Sequence, residues 1–98
     1  MQSKQQVLKK RKYLFSIAKT RNSFNKGDKR VHTPRICSAC GRALAEFSPE
    51  KQKYVTAVTH FHCKIESYIS LNVCKDVQSC YRYLKKKGEL EDGNGGQH

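Results

Sequence analysis

Two cysteines two residues apart and followed by glycine, Cys37-Ser38-Ala39-Cys40-Gly41, constrain this 98-residue chain more than any other feature of its sequence. A C-x2-C turn brings both thiolates to one side with backbone amides pointing at the sulfurs. Gly41 supplies the positive φ that such a turn commonly needs. The chemistry is that of a zinc knuckle. The rest of the chain needs a staple of this kind. Hydrophobic residues make up only 37% of it and there is no Trp, so a single domain of this length has a marginal core. Five cysteines are an odd number, which argues against a closed secreted disulfide framework. A redox C-x2-C calls for a βαβ context that the sequence does not offer.

Downstream lies Thr59-His60-Phe61-His62-Cys63. His60 and Cys63 are three apart, so on a helix they share one face. The β-branched run Tyr54 to Thr59 reads as a strand, Ala43 to Phe47 as its partner, and Ser48-Pro49-Glu50-Lys51 as the turn between them. The expected order is knuckle, β-hairpin, helix, closed by a tetrahedral Cys3His site of Cys37, Cys40, His60 and Cys63 that holds Zn2+. His62 is the rival for the third position. A different site takes two of Cys63, Cys74 and Cys80 in place of His60 and Cys63. Val73, Val77, Cys80, Tyr81 and Leu84 follow helical spacing, which predicts a C-terminal helix over about 74–87 stopped by Gly88. Cys80 then falls on an apolar stripe and reads as core. Cys74 and Cys80 would stand on opposite faces of one regular helix.

The pattern C-x2-C-x19-H-x2-C resembles the first finger of a LIM domain at the ligand positions, and a shortened form of the poly(ADP-ribose) polymerase-type finger. It departs from both: Lys64, Ile65 and Glu66 follow where a LIM domain continues with C-x2-C, and the polymerase-type finger has a longer middle. Small basic cysteine-rich proteins of plant RNA viruses are similar in composition and layout, with a different finger spacing. The likeness covers about residues 36–70. It implies a small zinc-stabilised α+β domain, treble-clef-like, with zinc on Cys37, Cys40, His60 and Cys63.

Charge then narrows the partner. Twenty Lys and Arg against eight Asp and Glu give a net charge of +12, which favours polyanions. The bases crowd residues 1–35, read as a basic arm and linker. A helix is expected over about 3–20 with Val7, Leu8, Leu14, Phe15, Ile17 and Ala18 on one side, and Ser23 to Arg35 reads as a loop. Residues 36–87 form the zinc-binding core, and 88–98 an acidic, Gly-rich disordered tail ending in His98. Candidate nucleic-acid contacts are Lys9, Lys10, Arg11, Lys12, Tyr13, Lys19, Arg21, Arg30, Arg82, Lys85, Lys86 and Lys87: cations for phosphates, tyrosines for stacking on bases.

The expected function is therefore zinc-dependent binding of RNA or DNA with weak sequence selectivity. The alternative is a zinc-stabilised protein-interaction adaptor, or a subunit of a larger nucleoprotein or transcription complex, docking a protein partner through the N-terminal helix. A remote alternative is a His-metal-finger nuclease built on His60. No catalytic residues are assigned and the chain is not expected to be an enzyme. No apolar run is long enough for a membrane span and no secretory signal is visible, so an intracellular place, nucleus or cytoplasm, is expected. Lys9-Lys10-Arg11-Lys12 fits a short nuclear-import pattern. Serine at Cys37 or Cys40 should unfold the core, whereas alanine at Lys9, Lys10, Arg11 and Lys12 should leave it folded.

Overall fold

The computed structural model describes residues 2–91. The elements run α1 (Lys4–Ile17), β1 (Thr20–Phe24), β2 (Arg35–Ile36), β3 (Ala43–Ser48), β4 (Lys53–Thr56), β5 (His60–Glu66), β6 (Ile69–Cys74) and α2 (Val77–Lys86). They make an α+β domain with two small antiparallel sheets, ordered β1-β5-β6 and β2-β3-β4.

Helix α1 starts at a full capping box, in which Ser3 Oγ accepts from Gln6 N–H and Gln6 Oε1 accepts from Ser3 N–H. That reciprocal pair satisfies two of the donors a helix start leaves open. Val7, Arg11 and Leu14 then recur at helical spacing and turn inward, with Val7 and Arg11 buried. The arm is thus packed on the core rather than standing apart from it. Leu8, counted on the apolar side from sequence, lies off this stripe and is exposed.

Three further expectations need correction. The segment after α1 is more than a linker: Thr20–Phe24 is a strand, while residues 25–34 are the expected loop, held in place. Strand β1 pairs with β5, and Gly27 N–H and Thr56 N–H bond across to Thr56 and Asp28 carbonyls. Phe24 and Val31 bury themselves with Ala45 in a small second core, and that burial is what pins the segment. The helix expected to open at His60 is the strand β5 instead. His60 to Glu66 has paired neighbours on both edges, β1 and β6, and seven residues before the Ser67-Tyr68 turn make a poor helix but a full strand. The start of the tail is tied down as well. Gly88, at φ 71°, and Glu89 close α2 in a Schellman arrangement with Lys85 and Leu84 carbonyls, and Glu89 and Glu91 hydrogen-bond to Gln2. Residues 92–98, including His98, lie outside the described residues.

The hairpin β3–β4 forms where the sequence puts it, and α2 lies within the predicted span. Asp76 caps α2 by accepting from Gln78 N–H. The larger core gathers Val7, Ala39, Leu44, Val73, Tyr81 and Leu84 around Cys37, Cys40, Cys74 and Cys80. Four of its ten buried residues are cysteines, so the centre of the fold is sulfur rather than hydrocarbon. Leu84→Ala should cost about 2–5 kcal/mol, because the side chain packs between α2 and that centre. Urea unfolding of the metal-loaded protein measures it, and a cost below about 1 kcal/mol would contradict the packing described.

Candidate metal centre

The four cysteines come from two distant parts of the chain. Cys37 and Cys40 sit on the turn between β2 and β3, closed by Gly41 N–H to Cys37 O at 2.7 Å and Cys37 N–H to Arg42 O at 2.8 Å. Gly41 takes φ 86°, as expected for its place in the turn. Cys74 ends β6 and Cys80 lies one turn into α2. The four Sγ atoms all lie within 4.8 Å of one another and all four residues are buried. Cys37 to Cys80 is 3.9 Å and Cys40 to Cys74 is 3.8 Å. A tetrahedron of sulfurs around zinc, with Zn–S of about 2.3 Å, has edges of about 3.8 Å. The residues present fit a four-thiolate metal ion.

Cys74 N–H donates to Cys37 Sγ at 3.3 Å. Hydrogen bonds from Cys40, Cys74, Cys80 and this amide hold the Cys37 thiol far below its usual range. The other three thiols are driven upward, first by sharing protons with Cys37 and also by burial. The four sulfurs therefore share protons as one group. A divalent cation at their centre would replace those protons and let all four ionise.

Arg11 supplies the complementary observation. Its guanidinium is buried, and it donates to Cys74 O at 2.6 Å, Lys75 O at 3.2 Å and Cys80 Sγ at 3.4 Å. No carboxylate pairs with it; among the described residues the one ion pair is Asp28–Arg30. A buried cation without a counter-charge is costly. Four thiolates around a divalent ion carry two negative charges and would supply that counter-charge. Arg11 therefore faces the four-cysteine group, buried away from the surface that the expected nucleic-acid contact needs. Alanine there should disturb the fold.

His60 and Cys63 are not brought to this group, although the β5–β6 register sets His60 opposite Cys74. His60 Nδ1 lies 2.8 Å from Val58 O, which can only accept, so Nδ1 carries the proton. Nε2 is left to accept from Arg35 Nη1 at 3.2 Å. Both ring nitrogens are engaged, the ring stacks on Phe24, and burial pushes its pKa down. The Cys63 thiol is buried on β5, and burial raises its pKa. His62 Nδ1 bonds to Asn72 Oδ1. The group that could hold a metal ion is thus Cys37, Cys40, Cys74 and Cys80, in the pattern C-x2-C-x33-C-x5-C, and the LIM-like spacing loses its second pair. The opposite-face objection to Cys74 with Cys80 assumed one continuous helix; Cys74 belongs to a strand, and the turn at Lys75-Asp76 lets both face the knuckle.

The remaining predicted contacts divide. Lys9, Lys10, Lys12 and Tyr13 are exposed on α1, as are Arg82, Lys85, Lys86 and Lys87 on or just after α2, and Lys19 before β1. Arg21 is held between the Phe15 and Phe61 rings, 5.0 and 5.4 Å from their centroids. Arg30 is engaged by Asp28, whose carboxyl it holds down at about 2, and lies 4.7 Å over Phe24. Among the described residues no helix is long and apolar enough to cross a membrane. Comparison with protein-family models, with curated proteins and with solved structures finds no match for this chain.

Two outcomes follow for purified protein. Cys74→Ala and Cys80→Ala should each lose bound metal, whereas Cys63→Ala should keep a full equivalent by elemental analysis; the reverse pattern would restore the Cys3His set. Arg11→Met should weaken metal binding by roughly 10- to 100-fold in competition with a chelator, the usual effect of removing an outer partner of a metal ligand, while Leu8→Ala should leave it unchanged.

Proposed function

We propose that the chain is a zinc-dependent nucleic-acid-binding protein in which the metal is structural. Four protein thiolates fill a tetrahedral ion, so it has no open position at which to activate water, and its contribution is to folding, on the order of 10 kcal/mol at neutral pH. Thiolate ligands suit zinc among the common divalent ions. In the sequence of elements, the knuckle, the β3–β4 hairpin and α2 with its ligand near the start follow a treble-clef-like order, with β5–β6 inserted ahead of the helix. Five cysteines without a disulfide among them suit a reducing intracellular compartment.

The observation that carries the binding reading is the surplus of unpaired cations on a clamped scaffold. Net charge is +12, and Asp28–Arg30 is the one ion pair among the described residues. Lys9, Lys10 and Lys12 on α1, and Arg82, Lys85, Lys86 and Lys87 at α2, are left facing solvent. Like charges held close repel, and a phosphate backbone relieves that repulsion while releasing its own counterions. The adaptor reading is weaker because the apolar stripe of α1 it would need is already packed on the chain's own core. The nuclease reading needs a histidine with a free ring nitrogen, and His60 has none. The exposed cations favour the binding reading over both.

Titration of a labelled oligonucleotide with the zinc-loaded protein tests this. Affinity should fall by roughly 100-fold or more between 50 and 200 mM salt if about six phosphates are neutralised. Absent or salt-insensitive binding would reject it.

A further inference from the structure

Beside α2 two adjoining hollows, of about 700 and 330 Å³, share Arg42, Ala57, Val58 and Arg82 in their walls and so make one groove. Its cations are Lys26, Arg42, Lys75, Arg82, Lys86 and Lys87. Only Glu46 and Asp76 oppose them, and the Asp76 carboxylate is occupied in capping α2. None of the six makes an ion pair among the described residues. Half of them, Lys26, Arg42 and Lys75, lie outside the basic runs that stand out in the sequence and come together only in the fold.

We propose that this groove is the track for the backbone of a single-stranded nucleic acid, an assignment that rests on the nucleic-acid reading above and locates its site. A cleft lined by one sign of charge concentrates its field on a bound counter-ion. Half-buried Tyr83 lines the larger hollow with the Lys87 ammonium 5.3 Å from its ring centroid, so an unpaired base stacking there would share the ring with that cation. Ala57 and Val58 give the wall apolar stretches between the cations. Hollows of about 700 and 330 Å³ are large enough for a phosphate and its base.

The metal centre assembles the groove. Arg42 follows the knuckle directly, and Ser79 precedes Cys80 in α2. Arg42 Nη1 donates to Ser79 Oγ at 3.0 Å, so one hydrogen bond spans the two ligand-bearing pieces. Arg82 lies two residues beyond Cys80, on the same helix. Gathering the four cysteines therefore sets two arginines on one wall, neither of them ion-paired among the described residues.

The test uses the full zinc-loaded chain and short labelled oligonucleotides, single-stranded RNA, single-stranded DNA and a blunt duplex of the same sequence. Three variants are compared with the unaltered protein: Arg42→Gln with Arg82→Gln, Lys26→Ala with Lys75→Ala, and Lys9→Ala with Lys10→Ala and Lys12→Ala. Each groove pair should lower single-strand affinity by about tenfold or more and reduce the salt slope by about 1.4, the value for two phosphates on a single strand. The α1 triple should do less. If Arg42→Gln upsets metal content, the Lys26 and Lys75 pair, which leaves the Ser79 bond untouched, decides. Groove variants that bind like the unaltered protein while the α1 triple loses affinity would overturn the groove and leave the nucleic-acid reading standing. A duplex bound more tightly than both single strands would overturn the single-stranded assignment. No binding by the unaltered protein would overturn both.

Discussion

Four sulfurs from two widely separated stretches meet inside a space of 4.8 Å, and the rest of the molecule is arranged around that meeting. The knuckle brings the β2–β3–β4 sheet, and Cys74 brings the end of the β1–β5–β6 sheet. Cys80 brings α2, and Arg11 brings α1 through its contact with Cys80 Sγ and Cys74 O. Neither sheet has more than three strands, and the smaller core is three buried residues with one ring against them. Such pieces do not hold one another by hydrocarbon burial alone. A metal ion at the sulfurs would join all of them at one point.

The same geometry explains why a chain this basic can fold. Charge repulsion opposes compaction most where cations are crowded, and the described part of the chain deals with its cations in three ways. Arg11 is buried against the thiolates. Arg21, Arg30 and Arg35 lie over aromatic rings, with Arg35 4.3 Å from the Phe24 centroid, where the ring face offsets part of the charge. The lysines of α1 and α2 stay in water. Arginine takes the inner positions because its planar head stacks and is more weakly hydrated than an ammonium.

What could be read from the sequence was local. The knuckle with its glycine, the β3–β4 hairpin and both helices follow from short-range spacing, and all are present. The second ligand pair was obscured because His60 and Cys63 carry the right chemistry at an attractive spacing, while Cys74 and Cys80 belong together only if a strand ends between them. Val73 itself fits the spacing of the helix that follows, which draws Cys74 into that helix. Treating Ile69 to Cys74 as the partner of His60 to Glu66 would have released Cys74 from that helix. Arg11 carried a signal that was also local. Four residues after Val7 and three before Leu14, it stands on the buried stripe of α1, and a charge in that place calls for a buried counter-charge.

The position of Arg11 also bears on how the halves of the protein depend on one another. Without metal, four sulfurs this close cannot all ionise, so the buried guanidinium would face carbonyls and a less negative cluster than a metal-bound one. Undocking α1 would then return that charge to water and expose only the modest apolar stripe of Val7, Leu14 and Phe15. With metal, the thiolates gain charge and the same burial becomes favourable. The exposed lysines of α1 and the groove beside α2 are therefore held in relation by the Arg11 contacts together with the burial of Val7 and the backbone bonds of Gln2 to Glu89 and Glu91. Loss of the ion would remove the compensation for Arg11 together with the joint between the sheets, so the basic helix and the basic groove would part as the core opens.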